Sequence, residues 1–390
     1  MLKNNRVKKI SFIILFSVLF LVQNTLAQID YCKTRISLLT CAPTDELYAT
    51  FGHTAIRIVD SINHTDYVFN YGTFNFDDPD FYTKFMRGKM DYYLSVEQYN
   101  QFLIQYQEDK RSIYEQELNI NCNQKQKIVE ALLLNMQPNN KYYKYDFLFD
   151  NCTTRVRDII LDNVISASIK NPLTAKGTTY RNMLHEYLDK GGKPWSKLGI
   201  DILLGSIIDK KVNIKQSMFL PDYLMKGIDS AVDKNDLHLA KDNHILLKET
   251  PEDNSSNNHL PLIIFSFIAA IIIILSFVNT GWARVATKVA DSFLLYSTGL
   301  FGILLLIMWF YTDHIVCSNN YNLFWALPTN IFAAVLVWKK REGMKRYYLA
   351  ASIITALLLI TWFIIPQQLN IALFPLVVAS LFRYIKLYQA

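Results

Sequence analysis

Four uncharged apolar runs, Leu260–Val278, Ser292–Tyr311, Leu323–Trp338 and Tyr347–Ile365, constrain this chain more than any other feature. Each approaches the ~20 residues that carry a helix across a bilayer. Within lipid every backbone N–H and C=O must find its partner inside the protein, so runs of this length are helices. A fifth run, Ile371–Leu387, contains Pro375, and its Arg383 and Lys386 are expected to snorkel to the interface. Residues 260–390 therefore read as an all-α multispan membrane domain with helices at 260–278, 292–311, 323–338, 347–365 and 371–387. No ionisable side chain sits at the centre of the four stronger runs, which argues against a pump or transporter.

The other end of the chain sets the orientation. Lys3, Arg6, Lys8 and Lys9 precede an apolar run from Ile10 to Val22 and the small-residue end Thr25-Leu26-Ala27. This is the order of a secretory signal peptide, expected at 1–27; an uncleaved anchor is the alternative. Residues 28–247 then form an exported domain, and 248–259, rich in Glu, Asp, Ser and Asn, a linker. Loops 279–291 and 339–346 hold the basic residues Arg284, Lys288, Lys339, Lys340, Arg341, Lys345 and Arg346. Loops 312–322 and 366–370 hold no Lys or Arg, so every loop obeys the positive-inside rule with the domain outside. The net charge of +6 partly reflects this bias and gives no reason to expect a nucleic-acid partner.

Inside the exported domain, Ile36–Thr40, the run from His53 and Asp66–Tyr71 read as strands. Helices are expected near Val96–Arg111, Asn123–Asn135, Tyr180–Leu188 and Asp222–Val232. Another starts at Cys152, with Val156, Ile159, Ile160 and Val164 along one face and Asp150 or Asn151 as N-cap. A thiol in the first turn of a helix feels the positive end of the macrodipole, which favours the thiolate. The bland alternative is a small buried residue. If residue 59 pairs with 66 in a hairpin, Asn70 lies diagonally beside His53 on one face and holds the imidazole as a base. The Asp150 carboxylate would oppose a thiolate, so it is expected to point away and cap the helix.

The exported domain has Cys32, Cys41, Cys122 and Cys152. If Cys152 stays free, at most one bridge forms among the other three; the rival is two bridges that include Cys152. Neither a glycine-rich phosphate loop nor a Cys/His cluster at metal-ligand spacing occurs, so no cofactor or metal is expected. Arg57, Arg155 and Arg157 are candidates for phosphate headgroups. Asp313, His314, Asn320 and Asn322 lie in the outward loop, on the same side as the thiol, and are candidates for substrate contact.

Three segments occur in fixed order: Phe51-Gly52-His53-Thr54-Ala55-Ile56-Arg57-Ile58, Phe69-Asn70-Tyr71-Gly72-Thr73-Phe74-Asn75-Phe76 and Asp150-Asn151-Cys152-Thr153-Thr154-Arg155. Trp195 to Gly205 with Asp209, Phe219-Leu220-Pro221, Asp313-His314 and Asn320 to Pro328 continue the pattern. Together they resemble the Lnb family, with its Lnb N-terminal periplasmic domain. The resemblance implies an α+β permuted papain-like (NlpC-type) exported domain followed by the all-α multispan membrane domain. It also implies a lipoprotein N-acyltransferase of the bacterial inner membrane, with a phospholipid acyl donor and a diacylated lipoprotein acceptor. Cys152 would be its nucleophile and His53 its base. A membrane acyl donor accounts for several spans, where a hydrolase of soluble cell-envelope substrates needs one anchor. The alternatives are such a membrane-anchored cysteine hydrolase and a non-enzymatic binding module; the latter has no need of both His53 and Cys152.

Overall fold

The computed structural model describes residues 30–44, 46, 49–164, 168–249, 258–339 and 342–390. The expected signal peptide and most of the expected linker lie outside the described residues. The strands are β1 (Thr34–Cys41), β2 (His53–Asp60), β3 (Thr65–Thr73), β4 (Asp91–Gln98), β5 (Ile113–Leu118), β6 (Tyr142–Lys144), β7 (Ser168–Ile169), β8 (Ala231–Val232) and β9 (Ala240–Leu247). Seven of them form one sheet in the order β6-β4-β3-β2-β1-β5-β9, and β7 pairs with β8. All pairings in the large sheet are antiparallel. The helices of this part are α1 (Phe81–Met86), α2 (Tyr99–Glu108), α3 (Cys122–Met136), α4 (Cys152–Asn163), α5 (Tyr180–Lys190), α6 (Pro194–Leu203), α7 (Ile214–Ser217) and α8 (Pro221–Ser230).

The β2–β3 hairpin follows from its turn. The Asp60 carboxylate accepts from the N–H groups of Ile62 and Asn63, which closes a short Asx-type turn. Val59 then faces Asp66 and Ala55 faces Asn70, the register that the alternation suggests. Alternate residues serve opposite faces. Leu38, Ile56, Phe69 and Leu94 pack with Val156 and Ile160 of α4, while Leu39, Ala55 and Val68 pack under Phe102 and Tyr106 of α2.

Two elements depart from expectation. The helix expected from Val96 begins at Tyr99, because Tyr92, Leu94 and Val96 belong to the two-residue period of β4. Strand β9 occupies the approach to the linker and covers the edge of β5. Its polar sequence fits an edge strand with most side chains in water. One disulfide, Cys32–Cys122, ties the start of β1 to the start of α3. Cys41, Cys152 and Cys317 are free thiols.

Beyond residue 258 the chain is helical: α9 (Leu260–Leu275), α10 (Gly281–Phe310), α11 (Asn330–Leu336), α12 (Glu342–Thr361) and α13 (Phe374–Gln389). Helices α10, α12 and α13 with its leading turn from Ile371 are long and apolar enough to cross a membrane; α9 is apolar and shorter. The expected span 323–338 is not one continuous helix. Tyr321–Phe324 is a 3₁₀ turn, and α11 has 7 residues. Pro328 removes a backbone donor and disfavours helical geometry at Leu327. The broken backbone is buried in protein, the condition under which membrane proteins tolerate it. Arg383 does not snorkel. It is buried, donates to both carboxylate oxygens of Asp291 at 2.6 and 2.8 Å, and also donates to Ser276.

The two parts are joined by buried polar contacts at the end of α6. The Asn320 amide donates to the carbonyls of Ile202 and Leu203, and that of Asn322 to Asp201 and Ile202. These carbonyls have no partner within the helix. Beside them Arg181, fully buried, pairs with Asp201 and Asp209. Asp201 also accepts from Asn370 and faces His185 Nε2 at 2.8 Å. Removing one partner of such a pair strands the rest. Arg181→Met is therefore expected to lower unfolding stability by about 3–5 kcal/mol, and Arg181→Lys to recover only part, because lysine lacks the planar fork. Denaturant unfolding in detergent measures both.

Candidate active site

Helix α4 starts at Cys152 because Asn151 caps it. The Asn151 side chain accepts from Thr154 N–H at 2.8 Å, and Thr154 Oγ1 accepts from Asn151 N–H at 2.8 Å. The Asn151 amide also donates to the carbonyls of Phe147 and Phe219. The cap residue is thereby held from both sides, and with it the direction in which the thiol leaves the helix. Asp150 is not the cap. Its carboxylate forms a two-point pair with Arg155 at 2.6 and 2.7 Å, and the guanidinium lies 3.6 Å above the Tyr143 ring.

Strand β3 passes close to the thiol. A β-bulge lies between Asn70 and Thr73, and Gly72 within it has φ of 89°. A Cβ at Gly72 would sit 3.5 Å from Cys152 Cβ and 3.6 Å from the Tyr145 ring. Glycine is needed here for the left-handed backbone and suits the close approach.

His53, the first residue of β2, and the Thr54 N–H lie close enough to the Cys152 sulfur to favour its charged form. Thr153 Oγ1 is 3.8 Å from the sulfur and 3.1 Å from Thr54 Oγ1. His53 Nε2 is 3.1 Å from Asn70 Oδ1. Asn70 Nδ2 donates to Glu97 Oε1 at 2.8 Å, and this orients the amide. An amide oxygen only accepts, so Nε2 carries a proton and Nδ1 is left for the thiol. Burial works against charge on both groups, but each is the other's counter-charge, and the pair wins. The Cys152 thiol is held below its ordinary value despite burial, by the His53 charge and the hydrogen bonds to sulfur. The His53 imidazole is raised despite burial, by Cys152 and by Asn70. Both shifts favour the charged forms, thiolate on Cys152 and imidazolium on His53. At Cys41, paired with His53 across β1 and β2, burial outweighs the Tyr106 hydrogen bond and the Arg111 charge and pushes the thiol up to about 12.

The other candidates are placed elsewhere. Arg57 is buried in the sheet, where it pairs with Asp66 at 2.6 Å and Glu115 at 3.2 Å and stacks 3.4 Å over Tyr99. Its donors are spent on protein, so it is not a headgroup ligand. Arg155 is committed to Asp150, and Arg157 to Asp158 and the Lys215 carbonyl. Asn320 and Asn322 are buried and cap α6, so neither is placed to touch a substrate. Asp313 and His314 meet the end of α1, through Asp313 N–H to the Arg87 carbonyl at 2.9 Å and His314 Nε2 to that of Phe85 at 3.1 Å. Among the described residues no group of three or more His, Cys, Asp or Glu side chains suits a metal ion. Sequence reasoning missed Glu97. Its signal was the two-residue period that carries β4 through Gln98 and places Glu97 opposite Val68.

Residues 22–186 match the Lnb N-terminal periplasmic domain, and residues 253–390 match the Lnb transmembrane domain. No curated protein and no solved structure matches the chain. The two matches occur in the chain order of a periplasmic domain followed by apolar helices, and together they cover most of it. The chain belongs to the Lnb family and is a multi-pass membrane protein with an N-terminal periplasmic domain.

Proposed function

We propose that this chain is a lipoprotein N-acyltransferase of the bacterial inner membrane. On this reading it moves a fatty acyl group from a phospholipid to the α-amine of a diacylglyceryl-cysteine lipoprotein. The observation that carries the reading is the Cys152–His53 pair, with shifts that favour thiolate and imidazolium, on an exported domain docked onto an apolar helical bundle. A helix-borne cysteine, a strand-borne histidine and an asparagine on the next strand also support the permuted papain-like (NlpC-type) reading of the domain.

The Cys152 thiolate attacks the ester carbonyl of the phospholipid, and negative charge gathers on the carbonyl oxygen. The first two N–H groups of α4, from Cys152 and Thr153, donate to no protein partner among the described residues and would serve this task. Donors of this kind contribute about 3 kcal/mol each. Collapse breaks the ester C–O bond, the His53 imidazolium gives its proton to the departing lysophospholipid alkoxide, and a thioester remains on Cys152. The acceptor amine then attacks the thioester. Neutral His53 takes the amine proton, the C–S bond breaks, and an amide and the thiolate pair result. Asn70 positions the ring, and Glu97 positions Asn70.

Incubation with phospholipid vesicles is expected to leave a hydroxylamine-labile acyl group on Cys152, detected by intact-mass spectrometry. Cys152→Ser abolishes it, His53→Ala slows its formation by about 10²–10⁴-fold, and Asn70→Ala has a smaller effect. Adding a synthetic diacylated lipopeptide should transfer the acyl group to its amine. Release of free fatty acid with no acylated amine would sink transfer in favour of hydrolysis. The pH dependence of iodoacetamide labelling tests the pair itself. Cys152 labelling should reach half its maximum below ~8.5, the ordinary thiol value. In His53→Ala the counter-charge is lost while burial remains, so the midpoint should move above that value; an unmoved midpoint would refute the pair.

A further inference from the structure

Helix α1 has no buried residue. Its exposed side chains are nevertheless large and apolar: Tyr82 is 79% exposed, Met86 62% and Phe85 52%, and Phe76 just before it is 68% exposed. Phe74, Phe76 and Phe81 stack on one another with ring centroids 4.4 to 5.8 Å apart, so the patch is built rather than loose. Patches of this kind mark interaction surfaces.

Its position indicates the partner. The end of α1 is hydrogen-bonded to Asp313 and His314, the third and fourth residues beyond α10. Gly88, with φ of 67°, allows that approach, since a Cβ there would lie 3.3 Å from the loop backbone. Helix α10 has Arg284, Lys288 and Asp291 near its start and no charge from Ser292 to Phe310. At 1.5 Å per residue this uncharged length is roughly 28 Å, close to the ~30 Å hydrocarbon core. The outer lipid boundary therefore falls near Phe310 and Tyr311, both exposed aromatics of the kind that populate such boundaries. Helix α1 sits at that level. Arg87 and Lys89 beside it are exposed and make no ion pair among the described residues, which suits phosphate headgroups.

A line of rings leads from the patch to the thiol. Phe85 lies 6.1 Å from Phe81, Phe81 5.8 Å from Phe74, Phe74 5.3 Å from Tyr92, and Tyr92 4.7 Å from Tyr145. Tyr145 and Cys152 both lie beside Gly72, 3.6 and 3.5 Å from where its Cβ would be. We propose that the segment Phe74–Met86 is an interfacial lip. It inserts its aromatic side chains into the outer boundary of the bilayer and guides phospholipid acyl chains along these rings to Cys152. Insertion stands on the geometry alone, whereas guidance rests on the acyl-transfer reading above.

Two measurements test it on the full chain in nanodiscs of phosphatidylethanolamine and phosphatidylglycerol. Photoreactive benzoylphenylalanine placed at Tyr82 or Phe85 should crosslink to phospholipid, while the same residue at exposed Ile62, in the distant hairpin turn, should not. Equal, background yields at all three positions would overturn the lip. The double variant Phe76→Gln/Phe85→Gln should lower Cys152 acylation from nanodisc phospholipid, relative to acylation by soluble p-nitrophenyl butyrate, roughly tenfold. An unchanged ratio would overturn guidance while insertion stands. Lipid crosslinks together with a wild-type protein that never acquires an acyl group from phospholipid would refute the transfer reading and leave the lip intact.

Discussion

Arg181 sits with no solvent exposure between the carboxylates of Asp201 and Asp209, at the junction of the exported and membrane parts. Asp201 is shared: it accepts from Arg181 in the exported domain and from Asn370 in the membrane domain. A buried charge network of this kind tolerates few alternative geometries, because any displacement leaves an uncompensated ion. The amides of Asn320, Asn322 and Gln367 fasten the same point through the carbonyls at the end of α6. On the acyl-transfer proposal, the nucleophile must stand at a set depth. Here rigidity comes from polar contacts, since apolar surface alone would let the two parts slide.

From this anchor the order passes to the site by packing. Tyr187 of α5 lies 5.9 Å from Phe51, two residues before His53. Phe219 lies 5.2 Å from Tyr180, and its carbonyl accepts from the Asn151 cap. Both halves of the Cys–His pair therefore lean on the α5 region, one through the approach to β2 and the other through the start of α4.

The hairpin register and the start of α4 were legible in the sequence because both are set locally. The Asp60–Thr65 turn fixes which residues face each other, and a 3.6-residue apolar period with an Asx cap fixes a helix start. The juxtaposition of His53 with Asn70 follows from register alone. The roles of Arg57, Asn320 and Asn322 were not legible. Arg57 is neutralised by Asp66 on β3 and Glu115 on β5, strands far apart in sequence, and nothing near Arg57 distinguishes a buried arginine from a solvated one. A polar loop such as Asn320–Asn322 looks available for ligands until the orphan carbonyls of α6 are brought to it. The run 323–338 misled for a related reason. Average apolarity counts residues and overlooks what Pro328 does to the backbone.

Cys41 and Cys152 show what the pairing achieves. Both flank His53, Cys41 buried and Cys152 half-buried, yet burial pushes the Cys41 thiol up to about 12 while Cys152 is held below its ordinary value. The difference is that His53 and the Thr54 N–H outweigh burial at Cys152, whereas at Cys41 burial outweighs Tyr106 and Arg111. An arriving acyl chain would displace water from the site and lower the local dielectric. A lone thiolate would then be penalised further, whereas a thiolate beside its own counter-ion recovers part of that cost through attraction. On the acyl-transfer proposal, Asn70 and Glu97 would keep the ring nitrogen facing the sulfur when lipid covers the site. A thiol site that must work against hydrocarbon requires this arrangement more than one that works in water.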